Sequence, residues 1–300
     1  AFVTSGDVTN PLVSTAGATS PPDNAATRLK SAISNGGTVQ LTEDIEISKT
    51  LLVTRDVTLD LNGHVLKMTG DGSVLRVSDR ATLTITDSRP QNPHTEPYAG
   101  LPAGGVITGG KGPNVTGIYY DYVGGAVFLE NGTTLKLEGG TLTVNSGSSI
   151  YIDGATLVMS GGTITGETVG VHNNVGTFTM TGGRITGRSD RGVYVYNGNM
   201  TMSGAAYIGG NPNARKEDIY VYESDHKHTD LSVTGGTIAG KVRIVFLESL
   251  GPTQEELKAA ANSVVKEQGV FDGHIKVEKG TSGTCVDYNS VNFIDEVAKT

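Results

Sequence analysis

Cysteine and tryptophan are nearly missing from this sequence, with one cysteine and no tryptophan among 300 residues. The single cysteine, Cys285, excludes a disulfide bond within the chain. No apolar run reaches the roughly 18 residues that a membrane-spanning helix requires, so we expect no insertion into a membrane.

Positive charge is also scarce, because 23 lysines and arginines face 31 aspartates and glutamates, a formal net charge of −8. Nucleic acids and anionic membranes bind to basic patches, so we expect neither as a partner. The same balance disfavours a polyanionic substrate such as pectin. Phosphate-binding loops, the dinucleotide fingerprint, Cys-x-x-Cys and Gly-x-Ser-x-Gly are missing too, and we expect no cofactor.

Glycine is abundant, with 42 residues, and much of it lies in a repeated phrase. The phrase reads EGGTLTV at 138–144, SGGTITG at 160–166, TGGRITG at 181–187 and TGGTIAG at 234–240. Its regular copies recur after about 22 residues, a period typical of solenoid proteins, whose repeats bury their apolar faces only by stacking.

Each repeat holds three short runs in which apolar and polar residues alternate, as they do on strands. The middle run aligns one apolar column, Leu59, Leu83, Leu135, Leu157, Phe178, Met200 and Leu231. Two residues later it aligns a second, Leu61, Ile85, Leu137, Met159, Met180, Met202 and Val233. After the glycine corner comes a third column, Leu66, Ile107, Leu142, Ile164, Ile185, Ile208 and Ile238. These columns predict an all-β fold, a right-handed parallel β-helix with three strands per coil and an apolar lumen.

Helix signals at both ends predict short caps over the open lumen. Asn24 suits the N-cap of a helix that ends at Gly36, and Thr253 with Glu256 begins a second helix that runs to about residue 268. We therefore divide the chain into a Ser/Thr/Pro-rich linker at 1–23, the β-helix at 24–250, and a C-terminal helix with strands at 251–300.

The cap helix, the phrases GGTVQLTEDIEI and VTLDLNGHVLKM, and the repeated GGTITG together resemble the right-handed β-helix proteins of the pectin-lyase-like superfamily. More narrowly, they resemble the repeat-rich β-helix proteins that Gram-positive gut bacteria export. The resemblance covers roughly residues 24–246 and implies export to the cell surface or medium. It implies no single activity, because this superfamily contains lyases, hydrolases, epimerases and adhesins.

The first run of each repeat carries the most unusual outward residues. One outward column consists of Arg76, Phe128, Tyr151, His172, Tyr194 and Tyr220, and a second of Ser78, Glu130, Asp153, Asn174, Tyr196 and Tyr222. Aromatic rings pack against the C–H faces of sugars while carboxylates and amides bind sugar hydroxyls, so the columns predict a ligand-binding face for glycans. Alternatively, the rings only stabilise the sheet surface by packing on one another.

Glu130 and Asp153 form a candidate catalytic pair, because strands on adjacent coils lie about 4.8 Å apart. Retaining glycosidases hold a nucleophile and an acid/base carboxyl about 5 to 5.5 Å apart. Against this, the polygalacturonase phrases Asn-Thr-Asp, Asp-Asp and Gly-His-Gly are missing. Asp225, His226, His228 and Asp230 could bind a transition metal, but we interpret them as a polar loop and expect no metal site.

The sequence thus predicts a secreted or cell-surface bacterial β-helix that binds a polysaccharide or a host or cell-surface glycan, as a binding module or adhesin. Flanking domains of a larger surface protein are further candidate partners. The alternative function is a polysaccharide-active enzyme that uses the same face. We prefer a glycoside hydrolase to a lyase for this alternative. A third interpretation is a structural spacer without a binding face.

Overall fold

The computed structural model describes residues 2–5, 24–111, 125–209, 217–224, 231–240, 242–247, 253, 255, 270–271, 275–281 and 284–291. It shows a parallel β-solenoid of about eight turns, which confirms the predicted fold class. Within these residues, no helix is long and apolar enough to cross a membrane.

Short strands follow one another along the whole solenoid, after a single strand and a helix near the N-terminus. The first half comprises β1 (Phe2–Ser5), α1 (Ala25–Asn35), β2 (Gly37–Leu41), β3 (Ile45–Ile47), β4 (Leu51–Val53), β5 (Val57–Asp60), β6 (Val65–Met68), β7 (Leu75–Val77), β8 (Thr82–Thr86), β9 (Val106–Thr108), β10 (Val127–Leu129), β11 (Thr134–Leu137), β12 (Thr141–Thr143) and β13 (Ile150–Asp153). The second half comprises β14 (Thr156–Met159), β15 (Thr163–Gly166), β16 (Val169–Asn174), β17 (Thr177–Met180), β18 (Arg184–Gly187), β19 (Arg191–Tyr196), β20 (Asn199–Met202), β21 (Tyr207–Ile208), β22 (Ile219–Glu223), β23 (Leu231–Val233), β24 (Thr237–Ile238), β25 (Val242–Leu247), β26 (Val270–Phe271), β27 (Ile275–Thr281) and β28 (Thr284–Val291).

Each turn contributes one strand to each of three sheets. Sheet A has the order β1-β2-β5-β8-β11-β14-β17-β20-β23, and sheet B has the order β3-β6-β9-β12-β15-β18-β21-β24-β26. Sheet C has the order β4-β7-β10-β13-β16-β19-β22-β25-β27-β28. Neighbouring strands are parallel except for the pairs β1–β2 and β27–β28.

Columns of like apolar residues fill the lumen, as the repeat predicts. From the third turn onward the register stacks the predicted residues directly on one another, for example Leu135 on Leu157 in sheet A and Ile164 on Ile185 in sheet B. These side chains are fully buried. An isolated turn would expose these apolar side chains to water, and they become buried only when turns stack. This stacking is therefore the main source of stability.

The predicted alignment of the second turn is wrong by two residues. Leu59 pairs with Ile85 and Val57 pairs with Leu83, whereas the sequence columns placed Leu59 beside Leu83. Strand side chains alternate between faces with a period of two, so a two-residue shift keeps every apolar residue inside. The hydrophobic pattern alone therefore could not distinguish these two registers.

The N-terminal end of the lumen is covered by α1, as predicted. The side chain of Asn24 accepts a hydrogen bond from the backbone N–H of Ala26, and Gly36 ends the helix with a φ of 79°. Leu29 and Ile33 lie on its buried face, packed into the core. An amphipathic helix in this place removes the open apolar end from water.

Both termini add strands to the body. Phe2–Ser5, within the segment predicted as a linker, forms β1 and pairs antiparallel with β2. At the other end β27 continues sheet C, and β28 pairs antiparallel with it. The predicted second helix at 253–268 lies almost entirely outside the described residues.

Candidate functional site

The outer face of sheet C carries the first predicted column in register. The column contains one residue per turn, and each pairs with the next in the order Arg76, Phe128, Tyr151, His172, Tyr194 and Tyr220. We call Phe128, Tyr151, His172, Tyr194 and Tyr220 the aromatic ladder. Leu52 precedes Arg76 in this column, and Arg243 follows Tyr220.

The rings of the aromatic ladder pack mainly against one another. Phe128 and Tyr151 are stacked, with centroids 5.6 Å apart and an interplanar angle of 15°. His172 lies 4.6 Å from Tyr151 and 4.6 Å from Tyr194, tilted against both. The guanidinium of Arg76 lies 5.6 Å from the Phe128 centroid. The ring faces that we expected to receive sugars are thus largely occupied by neighbouring rings, and the solvent-facing edges of the rings remain accessible.

Two members of the ladder are buried, contrary to the expectation that every outward ring is displayed. His172 is 6% exposed and Tyr220 is 3% exposed, whereas Phe128, Tyr151 and Tyr194 are half-buried. His172 is enclosed because it lies between two tyrosine rings. In this structure His172 and Tyr220 support the face and present almost no surface to a ligand.

Burial first, and then the positive charge of Arg191, together lower the pKa of His172 from 6.5 to about 3. Removing an imidazolium from water costs more free energy than removing a neutral imidazole, so the neutral form is favoured. His172 is therefore uncharged at neutral pH. Its role in the ladder is that of a polar aromatic ring.

Charged residues form a compact cluster beside Tyr220. Arg191 pairs with Asp190 at 2.7 Å and with Glu217 at 3.7 Å, and Glu217 also pairs with Arg243 at 3.6 Å. The guanidinium of Arg191 lies 4.2 Å from the Tyr220 centroid, and that of Arg243 lies 5.6 Å from it. We call Asp190, Arg191, Glu217 and Arg243 the arginine cluster.

The arginine cluster was missed by sequence reasoning. Its members are separated by up to two turns, and Arg191 precedes the aligned ladder position by three residues. The only signal in the sequence was the presence of adjacent acidic and basic residues at the start of the strand. Parallel stacking brings these separate positions together over one ring.

The second outward column is also in register, pairing Asp153 with Asn174, Asn174 with Tyr196, and Tyr196 with Tyr222. Glu130 directly follows β10 on the preceding turn. We call Glu130, Asp153, Asn174, Tyr196 and Tyr222 the polar column. Asp153 is exposed and the other four are half-buried. Tyr196 and Tyr222 are stacked at 5.7 Å and 15°.

Hydrogen bonds orient the side chains of the polar column. The Nδ2 group of Asn174 donates to Oδ1 of Asp153 at 2.9 Å, and Ser224 donates to the hydroxyl of Tyr196 at 2.8 Å. Glu130 forms an ion pair with Nε of Arg76. These contacts therefore restrict the rotation of the side chains of Glu130, Asp153, Asn174 and Tyr196.

The two candidate catalytic carboxylates have partners on different turns. Glu130 contacts Arg76 on the preceding turn, whereas Asp153 contacts Asn174 on the following turn. A retaining glycosidase requires the two groups to act on one sugar from opposite sides. Catalysis by this pair stays a prediction.

Residues 112–124, 210–216 and 225–230 lie outside the described residues, and so do the candidate metal ligands Asp225, His226, His228 and Asp230. Elsewhere, in the part of the chain that the structure describes, no group of three or more His, Cys, Asp or Glu side chains could hold a metal ion.

Comparisons of the chain with protein-family models, with curated proteins and with solved structures gave no match. The solenoid fold therefore rests on the strand pairing itself. The resemblance to the pectin-lyase-like superfamily stays a prediction from the sequence.

Proposed function

We propose that this protein is an extracellular glycan-binding module, secreted or displayed on a bacterial surface, and that the outer face of sheet C is its binding surface. The supporting observation is the coincidence of two ordered columns, the aromatic ladder and the polar column, on one face. We further propose that the solenoid is a right-handed β-helix of the pectin-lyase-like type exported by Gram-positive bacteria, acting there as an adhesin.

Among the described strands, the other two sheets carry no run of stacked rings like that of sheet C. The outward positions of sheet A include Thr84, Lys136 and Thr179, and those of sheet B include Thr163 and Thr165. These threonines and this lysine have neither ring surface nor carboxylate acceptors, although Tyr207, in the same column as Thr163, packs 3.9 Å from the guanidinium of Arg184. Carbohydrate sites combine apolar contact with a few oriented polar groups, and sheet C offers both.

The accessible end of the face suits a polyhydroxylated ligand. The half-buried rings of Phe128 and Tyr151 supply apolar contact, and the carboxylates of Glu130 and Asp153 accept hydrogen bonds from hydroxyls. The amide of Asn174 and the hydroxyl of Tyr196 add neutral donors and acceptors. Because these groups are already oriented, little side-chain entropy is lost on binding.

Both columns run along the axis of the solenoid, perpendicular to the strands. Equivalent positions repeat at the strand spacing of about 4.8 Å, so a linear polymer lying along the axis meets a related set of groups on each turn. Several weak contacts on one polymer then add to a useful affinity.

A glycan array with the full chain tests the proposal, followed by titration of the positive glycans into two variants. Tyr151→Ala removes a half-buried ring from the ladder, and we expect it to weaken binding roughly threefold to tenfold. Thr201→Ala is the matched control, since Thr201 is an exposed residue of sheet A. We expect this variant to bind as the wild type does.

Melting temperatures of both variants separate lost binding from lost folding, and Tyr151→Phe keeps the ring if Tyr151→Ala is unstable. A wild type that binds no glycan, or equal affinity in all variants, would show that the proposal is wrong. Release of reducing ends from a bound polysaccharide would instead support the alternative function, a polysaccharide-active enzyme.

A further inference from the structure

The charges at the accessible end of the sheet C face do not balance. Arg76, which precedes Phe128 in the first outward column, is already paired with Glu130. Asp153 is exposed, and its Oδ1 accepts from the neutral amide of Asn174. Among the described residues of the aromatic ladder and the polar column, Asp153 thus contributes a negative charge that its amide partner does not neutralise.

Among the described residues, no lysine or arginine forms an ion pair with Asp153. Lys111 pairs with Asp71 at 3.3 Å. The chain as a whole carries a formal charge of −8.

We propose that Asp153 determines the specificity of this face by restricting it to glycans without acidic groups, an inference that rests on the proposed function. A neutral sugar donates a hydroxyl hydrogen bond to the carboxylate of Asp153, and a hydrogen bond to a charged acceptor is stronger than a neutral one. A uronate placed there brings a second carboxylate next to the first. Like charges at a binding surface raise the free energy of the wrong complex, and this selects against it.

Asn174 makes the discrimination possible because it fixes the position of Asp153. A carboxylate on a freely rotating side chain could turn away from an approaching uronate. The 2.9 Å hydrogen bond from Asn174 holds it in the line of the polar column. Rejection therefore depends on both residues, whereas only Asp153 supplies the charge.

The experiment compares oligosaccharides of equal length: oligomers of glucose, mannose and N-acetylglucosamine as neutral probes, oligogalacturonate as the acidic probe, and oligoglucosamine as the cationic probe. Each is titrated into the wild-type chain and into Asp153→Asn, which keeps the shape and removes the charge. We expect wild type to bind a neutral probe and to bind oligogalacturonate much more weakly. In Asp153→Asn the ratio of neutral to acidic affinity should fall roughly fivefold or more, the effect of a partly exposed charge.

Asp71→Asn is the matched control, because Asp71 is an exposed aspartate outside the two columns, and we expect no change in the ratio. An unchanged ratio in Asp153→Asn, tighter binding of oligogalacturonate than of the neutral probes by wild type, or an oligoglucosamine affinity that does not fall in Asp153→Asn would each overturn the inference. All three results leave glycan binding itself intact. Binding of none of the probes would instead count against the proposed function.

Discussion

The imidazole ring of His172 lies 4.6 Å from the ring of Tyr194, its partner on the next turn of sheet C, at an interplanar angle of 48°. Together with Tyr151 on the other side, this contact encloses a titratable group within a stack of aromatic rings. The enclosure has a measurable consequence, because the pKa of His172 falls to about 3.

The first prediction concerns the dependence of stability on pH. The unfolded chain takes up a proton at His172 below pH 6.5, whereas the folded chain does so only below about pH 3. The stabilising contribution is therefore present above pH 6.5 and is lost as the pH falls from 6.5 towards 3. Between pH 7 and pH 4.5 the free energy of unfolding should fall by about 2 to 3 kcal/mol through this group.

Urea unfolding of wild type and His172→Phe at these two pH values measures the contribution. The variant keeps an aromatic ring and should lose this part of the pH dependence. Tyr194→Phe, which leaves His172 enclosed, should retain it. Identical pH profiles for wild type and His172→Phe would mean that His172 titrates normally in the folded chain.

The second prediction concerns the arginine cluster. Arg191→Ala leaves the buried carboxylate of Asp190 without its 2.7 Å ion pair and removes the guanidinium from the ring of Tyr220. Breaking one partner of a buried ion pair is strongly destabilising, so we expect the free energy of unfolding to fall by roughly 2 to 4 kcal/mol. Arg191→Lys should recover only part of it, because an ammonium lacks the planar fork.

Arg188→Ala is the control for this measurement. Arg188 is an exposed arginine that pairs with Glu167 at 3.5 Å. A solvent-exposed pair of this kind contributes about 0 to 1 kcal/mol. If chemical denaturation gave equal losses for Arg188→Ala and Arg191→Ala, the cluster would have no special part in stability.

The third prediction concerns a strained corner after sheet C. Val175 has a φ of 57°, although its equivalents on the adjacent turns are Gly154 at 62° and Asn197 at 47°. A left-handed backbone is unfavourable for a β-branched residue by roughly 1 to 2 kcal/mol, while asparagine tolerates it better. Val175 is 46% exposed, so its replacement removes little apolar burial.

Val175→Asn should therefore raise the free energy of unfolding by about 1 kcal/mol. Gly154→Val provides the reciprocal test, since it introduces the same strain one turn earlier and should lower stability by at least as much. Thermal melts of the two variants should shift in opposite directions. A lower melting temperature for Val175→Asn would indicate that Val175 makes a contact worth more than the strain.

Much of the fold could be predicted because each turn repeats the same information. The alternation around Leu135 and Leu157 defines an inside and an outside, and the glycine phrase defines where the chain bends. The outward columns of sheet C followed from the same alignment, so the register of Tyr151 with His172 was correct. The two-residue error between Leu59 and Ile85 arose where a slip by one full strand period leaves the pattern unchanged.

The exposure and the charge pairing of the site residues depend on three-dimensional contacts, which an alignment of the repeats does not contain. His172 and Tyr194 are both outward aromatic residues, yet one is buried and the other is half-buried. The difference follows from how far each ring lies between its neighbours and beneath the surrounding side chains. Likewise, the alignment placed Glu130 beside Asp153 but did not reveal that Glu130 is already paired with Arg76.

The residues that face the lumen, the number of strands per turn and the outward columns all follow from the sequence. They depend only on the two-residue period of a strand and the roughly 22-residue period of the repeat. The tertiary structure alone decided which outward groups are accessible and which charges are already paired. Arg191, Glu217 and Arg243 belong to successive turns and meet over Tyr220 only once those turns stack. Side-chain packing between turns depends on rotamers and interatomic distances, and the repeat pattern of the sequence specifies neither.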